Sequence, residues 1–176
     1  MPGIVGMADL TNKIDEKLLD RMGRSVKHEA WYLVDKLVED HFAISRVHLG
    51  ILNPESQPIY NEDSSLRIFF DGELFDYEKE LDDLKSRGHI FEIGNDAEFC
   101  LHLYEECGAG FVENLNGSFI AIILDTNTQK LLIANDRYGL RPLYYTTIHE
   151  KFLFASEVKA ILEDNTLERD IDDCAV

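Results

Sequence analysis

The sequence is short of cysteine, proline and positive charge, and it has no long apolar run. Its three cysteines (Cys100, Cys107 and Cys174) are odd in number and form no Cys-x-x-Cys pair, so no disulfide framework is implied. Four prolines in 176 residues exclude a proline-rich, low-complexity chain. No apolar stretch approaches the roughly 20 residues that a membrane helix needs. The opening Met1-Pro2-Gly3-Ile4-Val5-Gly6 has no basic start and too short an apolar stretch for a secretory signal, so the expected location is cytoplasmic. Basic side chains number 17 against 34 acidic ones, a formal charge of −17. A field of that sign repels polyphosphate and excludes nucleic acid as a natural partner. The six histidines (His28, His41, His48, His89, His102 and His149) are scattered without zinc-ligand spacing, so no metal is expected.

What is present is an ordinary globular composition, 45% apolar, long enough for one sizeable core. Residues 3–8 read as a short buried strand. Ile14, Leu18, Leu19 and Met22 recur at helical spacing, which predicts a helix over 14–25 with Asp15 and Glu16 in its first turn. The stretch 26–40 is ambiguous, whereas 42–48 alternates like a strand and Leu66 to Phe70 forms another, running into Asp71-Gly72. Tyr77, Leu81 and Leu84 mark a helix stopped by Gly88. Asn95-Asp96-Ala97-Glu98 has the form of a capping box opening a helix to Cys107, on which Cys100 and Cys107 read as core thiols. Strands dominate afterwards, with hairpins expected at 118–135 and 143–155 and a short helix over 156–162. Locally paired strands with helices in blocks between them predict an α+β domain with antiparallel sheets.

Seven segments, in order and in register, resemble the class II glutamine amidotransferases, specifically the N-terminal domain of asparagine synthetases. They are Met1 to Gly6; Ser45-Arg46-Val47-His48 with Gln57-Pro58-Ile59-Tyr60; Asp71-Gly72-Glu73-Leu74-Phe75; Asn95 to Glu98 with the helix to Gly108; Leu115-Asn116-Gly117-Ser118-Phe119; Asp136 to Tyr145; and Phe154 to Ala160. The resemblance implies a four-layer αββα sandwich of the N-terminal-nucleophile type, spanning 1–162. It makes 163–176 an acidic tail similar to the lead-in to a synthetase domain.

The family's reaction is nucleophilic catalysis. An N-terminal cysteine, exposed once Met is removed, attacks the glutamine carboxamide, and an Asn side chain with a Gly backbone N–H holds the oxyanion. The resemblance puts Pro2 at the nucleophile position, and proline has no thiol or hydroxyl. It puts Asp71 and Gly72 at the oxyanion positions, and an ionised aspartate accepts hydrogen bonds but donates none. Arg46 matches the clamp on the substrate α-carboxylate and Asp96 the acceptor of its α-ammonium group, with Gly72 and Glu73 beside them. An Arg46–Asp71 contact is the expected way for the pocket to close on itself. The turn residues Asp136, Arg137 and Gly139 read as architectural.

The family's Ser-Gly-Gly phosphate cradle does not occur in this sequence, so ATP and Mg are expected only in a separate synthetase domain and this chain needs no cofactor of its own. The expectation is a domain without glutaminase activity that serves as a scaffold, regulatory or interaction module, with an ATP-pyrophosphatase synthetase domain or subunit as partner. The alternatives are half of an amide ligase fed by ammonia or an internal amine, and a sensor with a weak amino-acid ligand.

Overall fold

The computed structural model describes residues 2–170. Nine strands form two sheets in which every pairing is antiparallel. The first holds β1 (Gly3–Asp9), β2 (Leu33–Val38), β3 (Phe42–His48), β8 (Tyr144–Ile148) and β9 (Lys151–Ala155), in the order β2-β3-β1-β9-β8. The second holds β4 (Ile59–Tyr60), β5 (Leu66–Leu74), β6 (Gly117–Asp125) and β7 (Lys130–Asn135), in that order. Helices α1 (Glu16–Val26) and α4 (Val158–Ile161) pack on the first sheet, and α3 (Asp96–Cys107) packs on the second, with α2 (Glu78–Ser86) against α3.

Strand alternation builds these layers, because successive side chains point to opposite faces. On β6, Ile120, Ile122 and Leu124 face the other sheet, while Phe119, Ala121 and Ile123 face α3. On β3, Phe42 and Ile44 face the inter-sheet core, while Ala43 and Val47 face α1. Both faces of the central strands are therefore buried. The result is the four-layer αββα sandwich that the resemblance implies.

The boundaries correct the sequence reading in instructive places. Asp15 is not in the first turn of α1 but is its N-cap, accepting from Leu18 N–H at 3.1 Å. The ambiguous stretch contains β2, an edge strand. The 3-10 run Gly108–Asn114 continues beyond α3. Asn95 caps α3 through Glu98 N–H as expected, but Glu98 does not return to the Asn95 N–H. Its carboxylate takes the N–H groups of Glu92, Ile93 and Gly94 instead, bracing the entry loop. Cys100 is buried, but Cys107 is exposed at the helix end and is no core thiol; Cys174 lies outside the described residues. Within the acidic tail Asp164 is buried, paired with Lys151 and capping Thr166.

Gly6, at the middle of β1, shows how tightly the inter-sheet layer is filled. It lies opposite Phe154 of β9, and a Cβ at this position would enter the Phe154 ring. Gly6→Ala is expected to cost about 1–3 kcal/mol in unfolding free energy, the usual cost of overpacking. In a Phe154→Leu background the same substitution should cost less, so a double-mutant cycle by urea denaturation should give a favourable coupling. Equal costs in the two backgrounds would contradict this packing.

Candidate functional site

Pro2 stands just ahead of β1, at one end of the first sheet. The strand behind it is anchored by Ile4 N–H donating to the Ser156 hydroxyl at 2.9 Å. Pro2 lines a cavity of about 50 Å³ with Asp71, Ile120, Arg141, Pro142, Ser156 and Glu157. The floor is an ion pair: Arg141 Nη1 donates to Asp71 Oδ2 at 2.7 Å. Burial pushes the Asp71 carboxyl above its ordinary value, against the opposing charges of Arg141 and Arg46. Pro2 thus faces Asp71 as expected, but the cation beside Asp71 is Arg141 and not Arg46.

The turn after β7 sets the position of Arg141. Buried Asp136 accepts from the N–H groups of Tyr138 and Leu140 at 3.0 Å each and from that of Arg141 at 3.2 Å. Gly139, at φ 63°, supplies the left-handed residue this tight loop needs. The Arg141 guanidinium is then held at its other side by Nε donating to the Ser118 carbonyl at 3.2 Å. A residue read from the sequence as part of an architectural turn therefore reaches the cavity. Burial would raise the Asp136 pKa, but the N–H groups of Leu140, Arg141 and Tyr138 outweigh it and hold the carboxyl below its ordinary value.

Arg46, on β3, is 1% exposed and fully committed to its own chain at both terminal nitrogens. Nη1 donates to Asp35 Oδ2 at 3.1 Å and to the Glu55 carbonyl at 3.3 Å. Nη2 donates to the carbonyls of Leu52 at 3.1 Å and Asn53 at 2.6 Å. Only Nε is left without a partner. Burial lowers the Arg46 pKa against the pull of Asp35 and Asp71, but a guanidinium stays charged in a protein. The Arg46–Asp71 contact expected from the sequence gives way to Arg46–Asp35, because the register sets Asp35 of β2 directly opposite Arg46.

Asp96 opens α3 and is also occupied. Its carboxylate accepts from Tyr77 Oη at 2.7 Å, Leu74 N–H at 3.2 Å and Asn53 Nδ2 at 3.3 Å. Burial and the bond to Asp96 push the Tyr77 phenol up, so it remains a donor at neutral pH. Gly72, at φ 148° on β5, has no room for a Cβ, which would collide with the Ser118 carbonyl and the Phe119 backbone. Glu73 is exposed.

Asn53, read as a loop residue, ties these pieces together. It donates Nδ2 to the Gly72 carbonyl at 3.1 Å, accepts from Asp96 N–H at 3.1 Å, and offers its own carbonyl to Arg46. The only sequence signal for this was an Asn preceding a proline, and its φ of 45° is a conformation Asn tolerates. Asp35, Asn53, Arg141 and Ser156 are thus the site residues that motif reading passed over. A far larger concavity, about 1050 Å³, lies between the end of α3 and the β6–β7 hairpin. None of the residues given a catalytic or substrate-binding role by the resemblance lines it, and the small cavity beside Pro2 is the candidate site.

The Asp136 turn generates a stability prediction with a defined pH sign. A carboxyl whose folded pKa is depressed contributes stability above its unfolded value, and that contribution is lost as pH falls through the folded value. Asp136→Ala should therefore cost about 3 kcal/mol at neutral pH, through charge-assisted bonds to backbone N–H groups. The gap from the parent protein should narrow below the ordinary aspartate value of 3.8. Urea titrations of both proteins across pH 3 to 7 check it; a gap that widened towards acid would be the wrong sign.

Comparison with known proteins places this geometry. The profile of the glutamine amidotransferase domain matches residues 1–176. The chain is 34% identical over 166 residues to asparagine synthetase [glutamine-hydrolyzing] 2 of Bacillus subtilis (strain 168), covering 92% of this chain and 22% of that protein. It is 33% identical over 166 residues to asparagine synthetase [glutamine-hydrolyzing] 2 of Oryza sativa subsp. japonica, covering 92% of this chain and 27% of that one. The chain therefore spans about a quarter of the length of these relatives. Among solved structures, the glutamine phosphoribosylpyrophosphate amidotransferase of B. subtilis superposes with a TM-score of 0.73 over 90% of this chain and 42% of its own, at 18% identity. That likeness carries the N-terminal-nucleophile fold alone, and the profile match carries the family: this chain belongs to the glutamine amidotransferase domain family, as an asparagine-synthetase-like member.

Proposed function

We propose that this domain does not hydrolyse glutamine and serves as a scaffold or interaction module beside a synthetase domain or subunit. The observation that carries this reading is the Asp71–Arg141 pair on the floor of the cavity that Pro2 lines. The chemistry expected at this place is attack by a thiol, followed by hydrogen-bond donation to an oxyanion. Pro2 supplies no thiol. Asp71 supplies acceptors where donors are needed, and its pairing with Arg141 draws the nearest guanidinium away from a substrate.

The size of the cavity supports the same reading. At about 50 Å³ it is far smaller than the roughly 300–1,000 Å³ of ordinary ligand pockets. Arg46 and Asp96, the two groups suited to grip an amino acid at its α-carboxylate and α-ammonium ends, already have protein partners. An amino acid would have to displace them, which disfavours the sensor reading.

A second reading has its own support. The relatives are several times longer than this chain and are named as synthetases, which favours a partner that makes an amide bond. In that arrangement the domain is the glutaminase-deficient half of an ATP-dependent ligase fed by ammonia or an internal amine. ATP and Mg would belong to the partner. The two readings share the same prediction for this chain.

Ammonia release in the presence of glutamine is expected to equal the buffer blank. Pro2→Cys alone, with Met1 removed so that the α-amine is free, should restore little. Pro2→Cys with Asp71→Asn should exceed Pro2→Cys by about 10²–10³ in rate, the loss reported for a missing oxyanion-hole donor. Turnover by the unmodified chain, or full activity from Pro2→Cys alone, would refute the proposal.

A further inference from the structure

Away from the cavity, the fold brings together histidines that the sequence separates. His102 and Glu105 lie three residues apart on one face of α3. His89 reaches them from the loop after α2, and Glu62 from the turn after β4. His102 Nδ1 is 2.7 Å from Glu105 Oε2 and 3.1 Å from His89 Nδ1, and His89 Nδ1 is 3.5 Å from the same Glu105 oxygen. Glu62 and the two histidines each offer a ligand atom within 4.8 Å of the others.

Two nitrogens and an oxygen so spaced form a triangle of metal-site dimensions. An ion equidistant from all three must lie at least about 1.8 Å from each, inside the roughly 2.0–2.2 Å of zinc bonds to imidazole and carboxylate. The rings are oriented by partners of the kind that metal-bound imidazoles have. His89 Nε2 lies 3.0 Å from Glu106 Oε1, so this nitrogen carries the ring proton and Nδ1 keeps its lone pair. Glu105 is itself fixed by Asn61 Nδ2 donating to Oε1 at 2.7 Å. Without a cation, the one proton in the triangle sits on His102 Nδ1, between Glu105 Oε2 and the His89 lone pair, and a divalent ion would take its place. His102 is 2% exposed, and a cavity of about 430 Å³ lined by Glu62, Ile90 and His102 connects the cluster to solvent.

We propose that His89 Nδ1, His102 Nδ1 and Glu105 Oε2, with Glu62 as the fourth ligand, bind a divalent first-row transition ion, for which zinc is the natural probe. Imidazole and carboxylate donors suit this class of ion. The sequence held no sign of it because the ligands come from three elements and only His102 and Glu105 are locally spaced. The ion would cross-link α3 to the β4–β5 turn and to the α2–α3 connection, on the face of the second sheet remote from the first. The site is independent of the glutaminase question.

The test is zinc titration of the metal-free protein against a chromophoric chelator, in a Cys107→Ser, Cys174→Ser background that removes competing thiols. One equivalent with a Kd below about 10 μM is expected. His89→Ala and His102→Gln should each abolish it, and Glu106→Gln should weaken it about 10-fold by loosening His89. Circular dichroism establishes that the variants fold. Should one not fold, imidazole ¹⁵N spectra of the histidine-intact protein decide, since zinc must move the Nδ1 resonances of His89 and His102. Binding weaker than about 10 μM, binding that survives both histidine substitutions in folded protein, or zinc shifts confined to other histidines would each overturn the site.

Discussion

A guanidinium sealed at 1% exposure is the constraint from which the candidate site is built. Arg46 cannot lose its proton, and a buried charge without partners is expensive. The chain meets that demand by folding residues 52–55 around the terminal nitrogens and by turning Asp35 inward from β2. Once Asn53 is fixed by its carbonyl, its side chain reaches Gly72 and Asp96, so the start of α3 and the C-terminal end of β5 are positioned by the same loop. A second, partly buried pair, Asp71 with Arg141, repeats the solution at the cavity floor. In both cases a charge of the kind suited to grip a substrate is neutralised within the chain.

Most of the framework was legible because both faces of the central strands are buried and their patterns are strong. Ile120 to Leu124 and Phe42 to Val47 announce strands, and Leu18, Leu19 and Met22 announce α1. β2 stayed ambiguous for a physical reason. It is an edge strand whose Leu33 and Val34 are exposed while Asp35 points inward, so the usual alternation is inverted at its most telling residue. The Asp35 partnership repairs that inversion energetically, but only the register with Arg46 reveals it.

The site was legible in its membership more than in its pairings. Pro2 and Asp71 were singled out and do share a cavity. Which cation meets Asp71 was not legible, since Arg141 lies 70 residues further along and is aimed by hydrogen bonds from the Asp136 turn. Asn53 was hidden in the same way. A loop asparagine with a left-handed backbone gives no hint that it holds two strands and a helix. The His89–His102–Glu105 cluster was invisible because scattered histidines carry no spacing signal until α3, the α2–α3 connection and the β4–β5 turn are packed together.

If internal ion pairing closes this site, the energetic coupling of Asp71 to Arg141 is its most direct measure. Asp71→Ala, Arg141→Ala and the double variant, compared with the parent by urea denaturation at neutral pH, form the cycle. A coupling of about 1–3 kcal/mol is expected for a contact in which both side chains are mostly buried. A coupling near zero, with the two single effects simply additive, would mean that Arg141 is free and that the pocket is not closed by its own charges.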